Sequence, residues 1–117
     1  MKKILVVDDD VDVLNVVDLV LTHHDFLVKT TSKWQSISET IKAFNPDLIL
    51  LDIDLRGADG GDICKKLKQS KKTRQVPVIL FSILMPEEYL IASNAQGFLI
   101  KPFETTHLLE MIKHNLN

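Results

Sequence analysis

Acidic, hydroxyl and amine side chains recur at one kind of place in this chain, the end of a short apolar run. Asp8-Asp9-Asp10 follows Ile4-Leu5-Val6-Val7, and Asp52 follows Leu48-Ile49-Leu50-Leu51, with Asp54 two residues on. Ser82 closes Val76-Pro77-Val78-Ile79-Leu80-Phe81, and Lys101 follows Gly97-Phe98-Leu99-Ile100. Carboxylates gathered from two runs repel one another, and each close pair costs roughly several kcal/mol where screening is poor. Either one acid is protonated or a cation binds, and hard oxygen donors in an open, hydrated geometry favour Mg²⁺. Such a cation leaves one carboxylate oxygen free as a nucleophile and neutralises an incoming phosphoryl group. Ser82 can donate to one phosphoryl oxygen, and Lys101 can pair with another. The set suits phosphoryl transfer by positioning and electrostatics, with an aspartyl phosphate as product.

Elements that would bring these residues together are legible. Ile4–Val7 is a continuous β-branched run, as expected of a strand buried on both faces. Val13, Leu14, Val16, Val17, Val20 and Leu21 recur at threes and fours and form a helical face, with Asp9 or Asp10 at its start. Phe26–Thr30 reads as a second strand. Ser32 can cap a second helix that turns Trp34, Ile37, Ile41 and Phe44 inward, and Asn45-Pro46 stops it. Leu48–Leu51 is the most apolar strand and the expected centre. A Gly-rich loop (residues 56–61) leads to a helix from about Asp62 to Gln69. Val76–Phe81 is a fourth strand, with Pro77 near its first residue, where a missing N–H is tolerated. Pro86-Glu87-Glu88 suits the first turn of a short fourth helix. Gly97–Ile100 is the fifth strand, and Glu104–Asn115 is a closing helix with Leu108, Leu109, Ile112 and Leu116 inward.

Strands that alternate with helices imply right-handed crossovers and a parallel sheet covered on both faces. The expected architecture is therefore α/β, a doubly wound, flavodoxin-like (βα)5 sheet in the usual order 2-1-3-4-5. Ligands of such sheets bind at the C-terminal strand ends, at the switch point between strands 1 and 3. The chemically equipped residues converge there.

The 117 residues suffice for one domain, residues 1–117, with 45% apolar and 26% charged residues. A net charge of −2 draws the chain neither to nucleic acid nor to an anionic membrane. One cysteine, Cys64, rules out an internal disulfide framework, and a reducing, cytoplasmic setting is the simpler expectation. No apolar run reaches the roughly 18 residues of a membrane span, and the run after Met1 is too short for a signal peptide. The basic cluster Lys65, Lys66, Lys68, Lys71, Lys72 and Arg74 could contact nucleic acid or an acidic partner; a solvated helix face and loop accounts for it more simply. His23 and His24 suit a helix C-terminus, Cys64 reads as core filler, and Trp34 as packing.

The segments Ile4–Asp10, Pro46–Asp52, Gly57-Ala58-Asp59-Gly60, Pro77–Ser82 and Lys101-Pro102-Phe103 together resemble the signature of response regulator receiver domains, in the family's order and over essentially the whole chain. The resemblance implies Mg²⁺ on Asp8, Asp9, Asp52 and the backbone carbonyl of Asp54. It makes Asp52 the phosphoacceptor, Ser82 the switch hydroxyl, Lys101 the phosphate-pairing lysine before a cis proline, and Phe98 the aromatic switch. It also implies a sensor histidine kinase or phosphotransfer protein as donor. A downstream protein would dock on the face of helix 4, strand 5 and helix 5, and phosphorylation could drive homodimerisation. Such a domain catalyses only its own Mg²⁺-dependent phosphorylation and dephosphorylation and is not a turnover enzyme. Beyond the domain itself, the expectation is a single-domain regulator or a receiver excised from a larger protein.

Some positions depart from the pattern. Ser82 to Lys101 is about one helical turn short, which truncates helix 4. Ile83 is bulky where a small residue is common. Asp54 adds a negative charge, Arg56 replaces a proline, and Phe98 lacks a tyrosine hydroxyl. Three rival readings stand beside this one. Asp52-Ile53-Asp54 resembles the nucleophile motif of haloacid-dehalogenase-type phosphatases, but lies on the third strand and not the first. A flavodoxin-like cofactor binder needs a donor-rich phosphate loop, where this chain has three aspartates. A receiver acting only as an unphosphorylated interaction module would fail to react with acyl phosphate.

Overall fold

The computed structural model describes residues 1–83 and 87–116. Five strands, β1 (Lys3–Val7), β2 (Leu27–Thr31), β3 (Leu48–Asp52), β4 (Val78–Ser82) and β5 (Gly97–Ile100), form one sheet in the order β2-β1-β3-β4-β5. Every neighbouring pair is parallel. The helices between them are α1 (Val11–His23), α2 (Ile37–Phe44), α3 (Gly60–Gln69), α4 (Glu87–Ser93) and α5 (Thr105–Asn115). This is the flavodoxin-like (βα)5 arrangement expected from the alternation of apolar runs.

Side chains alternate across a strand, so the sheet divides the core in two. Ile4, Val6, Leu48, Leu50, Ile79 and Phe81 pack on one face against Leu14, Val17 and Leu21 of α1 and Leu108 and Ile112 of α5. Leu5, Val7, Ile49, Leu51, Val78 and Leu80 face the other way, against Ile37 of α2 and Cys64 of α3. Each of these strand residues is at most 1% exposed. Fully burying an aliphatic side chain stabilises by about 1.5–3 kcal/mol, which is why β1, β3 and β4 read as unbroken apolar runs.

Local details differ from the sequence reading. Val16 does not join the buried face of α1; it is 62% exposed, because at 100° per residue it points away from the stripe of Leu14, Val17 and Leu21. Phe26 is buried, but it precedes β2, its N–H donating to the Leu21 carbonyl. Ser32 does not cap α2. A 3₁₀ turn, Trp34–Ser36, comes first, and the Ser36 hydroxyl donates to the Lys33 carbonyl instead of capping. Asn45 ends α2 in the left-handed region (φ 53°) ahead of Pro46. The cap of α3 is Asp59, whose carboxylate accepts the Asp62 N–H, so the helix starts two residues earlier than expected. β4 begins at Val78, since Pro77 has no N–H to give and the Val76 N–H is taken by Thr73. α4 has seven residues, about 10 Å of helix; Pro86, expected in its first turn, lies outside the described residues.

Candidate functional site

β1 and β3 lie side by side, and their connections leave in opposite directions, which opens a crevice at their C-terminal ends. Asp8 follows β1 and is 1% exposed; Asp52 ends β3 and is 3% exposed. The three consecutive aspartates separate by function. Asp8 turns inward, with Oδ1 accepting the Asp10 N–H at 2.9 Å. Asp10 caps α1 by accepting the Asp12 N–H at 2.9 Å. Asp9 turns toward the loop after β3, where its Oδ2 accepts the Arg56 N–H.

Lys101, one residue past β5, reaches across the crevice. Its ammonium lies 2.9 Å from Asp8 Oδ2 and 3.4 Å from Asp52 Oδ1. It also sits 4.8 Å above the Phe81 ring, which in turn meets Phe103 edge-on. The aromatic face steadies the ammonium. The Lys101–Pro102 peptide bond is cis, as the resemblance implied. One ammonium does not offset two buried carboxylates. Burial, and then the charge of Asp8, push Asp52 up to about 6, against the opposing pull of Lys101 and of the Asp54 N–H. Lys101 is raised despite burial, through its hydrogen bond to Asp8 and the charges of Asp52 and Asp8.

β4 delivers Ser82, 2% exposed, to the same rim. Its hydroxyl donates to Asp54 Oδ2 at 2.6 Å. The Asp54 N–H points back at Asp52 Oδ1 (3.3 Å). Asp54–Leu55 and Ala58–Asp59 form a short antiparallel ladder around Gly57, which has φ 79°. Phe98 on β5 is half-buried and packs on the α2–α3 side of the sheet. Ile83, the bulky residue after Ser82, is 71% exposed.

Two participants carried no signal of their own in the sequence. Gly60 opens α3 against the backbone of β3: a Cβ there would lie 2.1 Å from the Asp52 carbonyl oxygen. In the sequence it stood only as the last residue of the Gly57-Ala58-Asp59-Gly60 segment, with no role of its own. Trp34 was read as packing, yet its indole N–H donates to the Arg56 carbonyl at 2.9 Å. Trp34, Arg56 and Asp9 are thus joined in series.

The donor set fits a hard divalent cation. Two buried carboxylates share one ammonium, and burial together with the charge of Asp8 raises Asp52 to about 6. Among the described residues no three acidic, histidine or cysteine side chains form a ready-made cage. Mg²⁺ keeps several waters and takes few protein ligands, and carboxylates such as Asp8 and Asp52 are the kind of donor it uses.

The family model described as "Response regulator receiver domain" matches residues 4–113. Response regulator ArlR of Staphylococcus aureus is 29% identical over 116 residues, 97% of this chain and 52% of its own length. The chain thus spans about half the length of the curated relatives it matches. Among solved structures, the N-terminal signal receiver domain of a two-component response regulator from Bacteroides fragilis is 29% identical with TM-score 0.87, covering 100% of this chain and 98% of its own. The Vibrio cholerae chemotaxis protein CheY4 shares the fold at TM-score 0.92, with 23% identity and 99% of each chain covered. With the family model matching nearly its whole length, and the strand order and crevice of that fold, this chain belongs to the response regulator receiver domain family.

Proposed function

We propose that residues 1–117 form one receiver domain that takes a phosphoryl group on Asp52 from a sensor histidine kinase or phosphotransfer protein in the cytoplasm. The observation that carries this reading is Asp52, buried at the switch point between Asp8 and the Lys101 ammonium. An Asp52 carboxylate oxygen attacks the donor's phosphorus. The P–N bond of phosphohistidine breaks, its electron pair returns to the imidazole, and a P–O bond to Asp52 forms. Asp8, Asp9, Asp52 and the Asp54 backbone carbonyl would hold Mg²⁺, which when bound supplies charge neutralisation for the phosphoryl oxygens. Lys101 pairs with one of those oxygens, and the Ser82 hydroxyl donates to another.

Response then follows as a shift between two packings, driven by contacts the phosphoryl group makes in only one of them. Ser82 leaves Asp54 and moves toward the phosphoryl group, and Phe98 turns inward. The face of α4, β5 and α5 changes. Ile91 of α4 and Ile100 of β5 are 70% and 52% exposed, and offer a downstream protein an apolar foothold. A second phosphorylated copy is an alternative occupant of the same face. The domain turns over nothing but its own phosphoryl group.

Intact-mass spectrometry with acetyl phosphate and Mg²⁺ tests the chemistry. The expected result is a gain of about 80 Da, one phosphoryl group. The gain should be absent without Mg²⁺ and absent in Asp52→Asn. An adduct retained in that variant would place the acceptor elsewhere, and no adduct from either acetyl phosphate or a phosphohistidine donor would overturn the reading.

A further inference from the structure

Away from the crevice, α2 and α3 enclose a groove of about 530 Å³. Its floor is apolar, built from Trp34, Ile37, Ile41, Ile63 and Leu67. Apart from Ile37 these side chains are only half-buried, so the groove leaves a continuous apolar strip open to water. Lys42, Lys66 and Lys72 stand around it, and among the described residues no aspartate or glutamate lines it. The chain as a whole is acidic, with net charge −2, so the local sign is inverted. Among the described residues the ion pairs belong to Lys101, and none of these three lysines has a carboxylate within reach.

We propose that this groove is a docking site for an acidic amphipathic helix of a partner protein. An apolar trough between two helices accepts the apolar ridge of a third, anchored at positions i, i+3, i+4 and i+7. α3, at ten residues, gives a trough of about 15 Å, matched by about ten residues of docked helix. The three free ammonium groups select carboxylates on the helix flanks and set the salt dependence of binding. A bilayer fits less well, because the apolar surface is concave and its lysines stand at the edges. This explains the basic cluster of the α3 region in part: Lys66 and Lys72 face the groove, not open solvent alone. The site is separate from the α4–β5–α5 face and does not depend on the phosphoacceptor reading.

The floor carries a reporter, since Trp34 is the only tryptophan of the chain. The test is selection of helical peptides of about 15 residues from a randomised display library against the full chain. Enriched peptides should combine an apolar i, i+3, i+4 stripe with Asp or Glu, and their binding should change Trp34 emission. Affinity should fall about tenfold or more in Lys66→Glu/Lys72→Glu, and fall with salt, while Lys113→Glu on α5 leaves it unchanged. An unchanged melting temperature in each variant shows that these exposed positions do not unfold the protein. The proposal is overturned if no peptide is enriched, if enriched peptides lack acidic residues or map elsewhere, or if charge reversal has no effect. Quenching of Trp34 by phosphatidylserine vesicles, with no peptide response, would assign the groove to a membrane instead.

Discussion

The Ser82 hydroxyl and the Asp54 carboxylate are joined by a 2.6 Å hydrogen bond at the rim of the crevice. A hydroxyl has one proton to give, so while Asp54 holds it Ser82 cannot donate to a phosphoryl oxygen on Asp52. Hydrogen bonds to charged groups contribute about 1.5–3 kcal/mol, less here because Asp54 is exposed. Asp54→Ala frees the hydroxyl and removes a negative charge beside the incoming phosphoryl group. The expected outcome is a roughly threefold to tenfold higher yield of phosphoprotein at fixed acetyl phosphate. A lower yield would mean that Asp54 assists the reaction.

Burial of the Asp52 carboxylate beside Asp8 predicts a stability gain on its removal. Its folded-state value of about 6 lies above the ordinary carboxylate value of 3.8, so the folded protein holds this proton more tightly than the unfolded chain. The stability tied to this group is complete below about pH 3.8 and is lost as pH rises through about 6. At pH 7 without metal, Asp52→Asn should therefore be more stable than the parent by about 3 kcal/mol. The difference should shrink toward pH 4. Thermal melts of both proteins in chelator, across that range, measure it.

The same proton opposes the cation. A protonated carboxyl is not a ligand until it releases its proton. Mg²⁺ affinity should be flat above pH 7 and weaken below the Asp52 value of about 6, by about tenfold per pH unit at the limit of one proton displaced. Calorimetric titration of Mg²⁺ at several pH values reads this directly. An affinity independent of pH from 5 to 7 would remove Asp52 from the ligand set.

Gly60 is predicted to tolerate no side chain. The Cβ of Gly60→Ala would meet the Asp52 carbonyl oxygen at 2.1 Å and Ile53 Cα at 2.7 Å, both backbone atoms. Either α3 or the end of β3 must move. The expected cost is about 1–3 kcal/mol of stability, with loss of phosphorylation at Asp52. Gly97→Ala is the control: its Cβ meets the flexible Met111 sulfur at 3.1 Å, and its melting temperature should change far less.

The sheet was legible because strands buried on both faces carry unbroken apolar runs, and β1, β3 and β4 each carry a run of four, interrupted only at an end by Lys3, Asp52 or Ser82. The placement of Asp8, Asp52, Ser82 and Lys101 at one rim follows from that alone, since each ends or directly follows a strand. What could not be read depends on direction in space. Val16 has the right residue type for the buried stripe of α1 and the wrong angle. Asp8, Asp9 and Asp10 are alike in sequence and divide only when the turn after β1 aims each differently. Trp34 bonds a backbone carbonyl 22 residues away, and a backbone acceptor leaves no mark in the residue types. The Asp54–Ser82 bond joins two side chains 28 residues apart, and the pairing depends on how the loop after β3 is aimed at the end of β4.

Alternation along the strands leaves Leu50 on one side of the sheet and Leu51 on the other. Adjacent in sequence, they share no packing neighbourhood, so the molecule is insulated into two half-interiors. Enlarging or shrinking residues in the α1–α5 half should combine additively with changes in the α2–α3 half, and each half can drift in sequence without retuning the other. The strand ends at the crevice are where backbone common to both halves emerges. A change on either side reaches the crevice through that shared backbone, and in the α1–α5 half also through the Phe81 ring beneath Lys101; the acceptor aspartate stands at the end of that backbone.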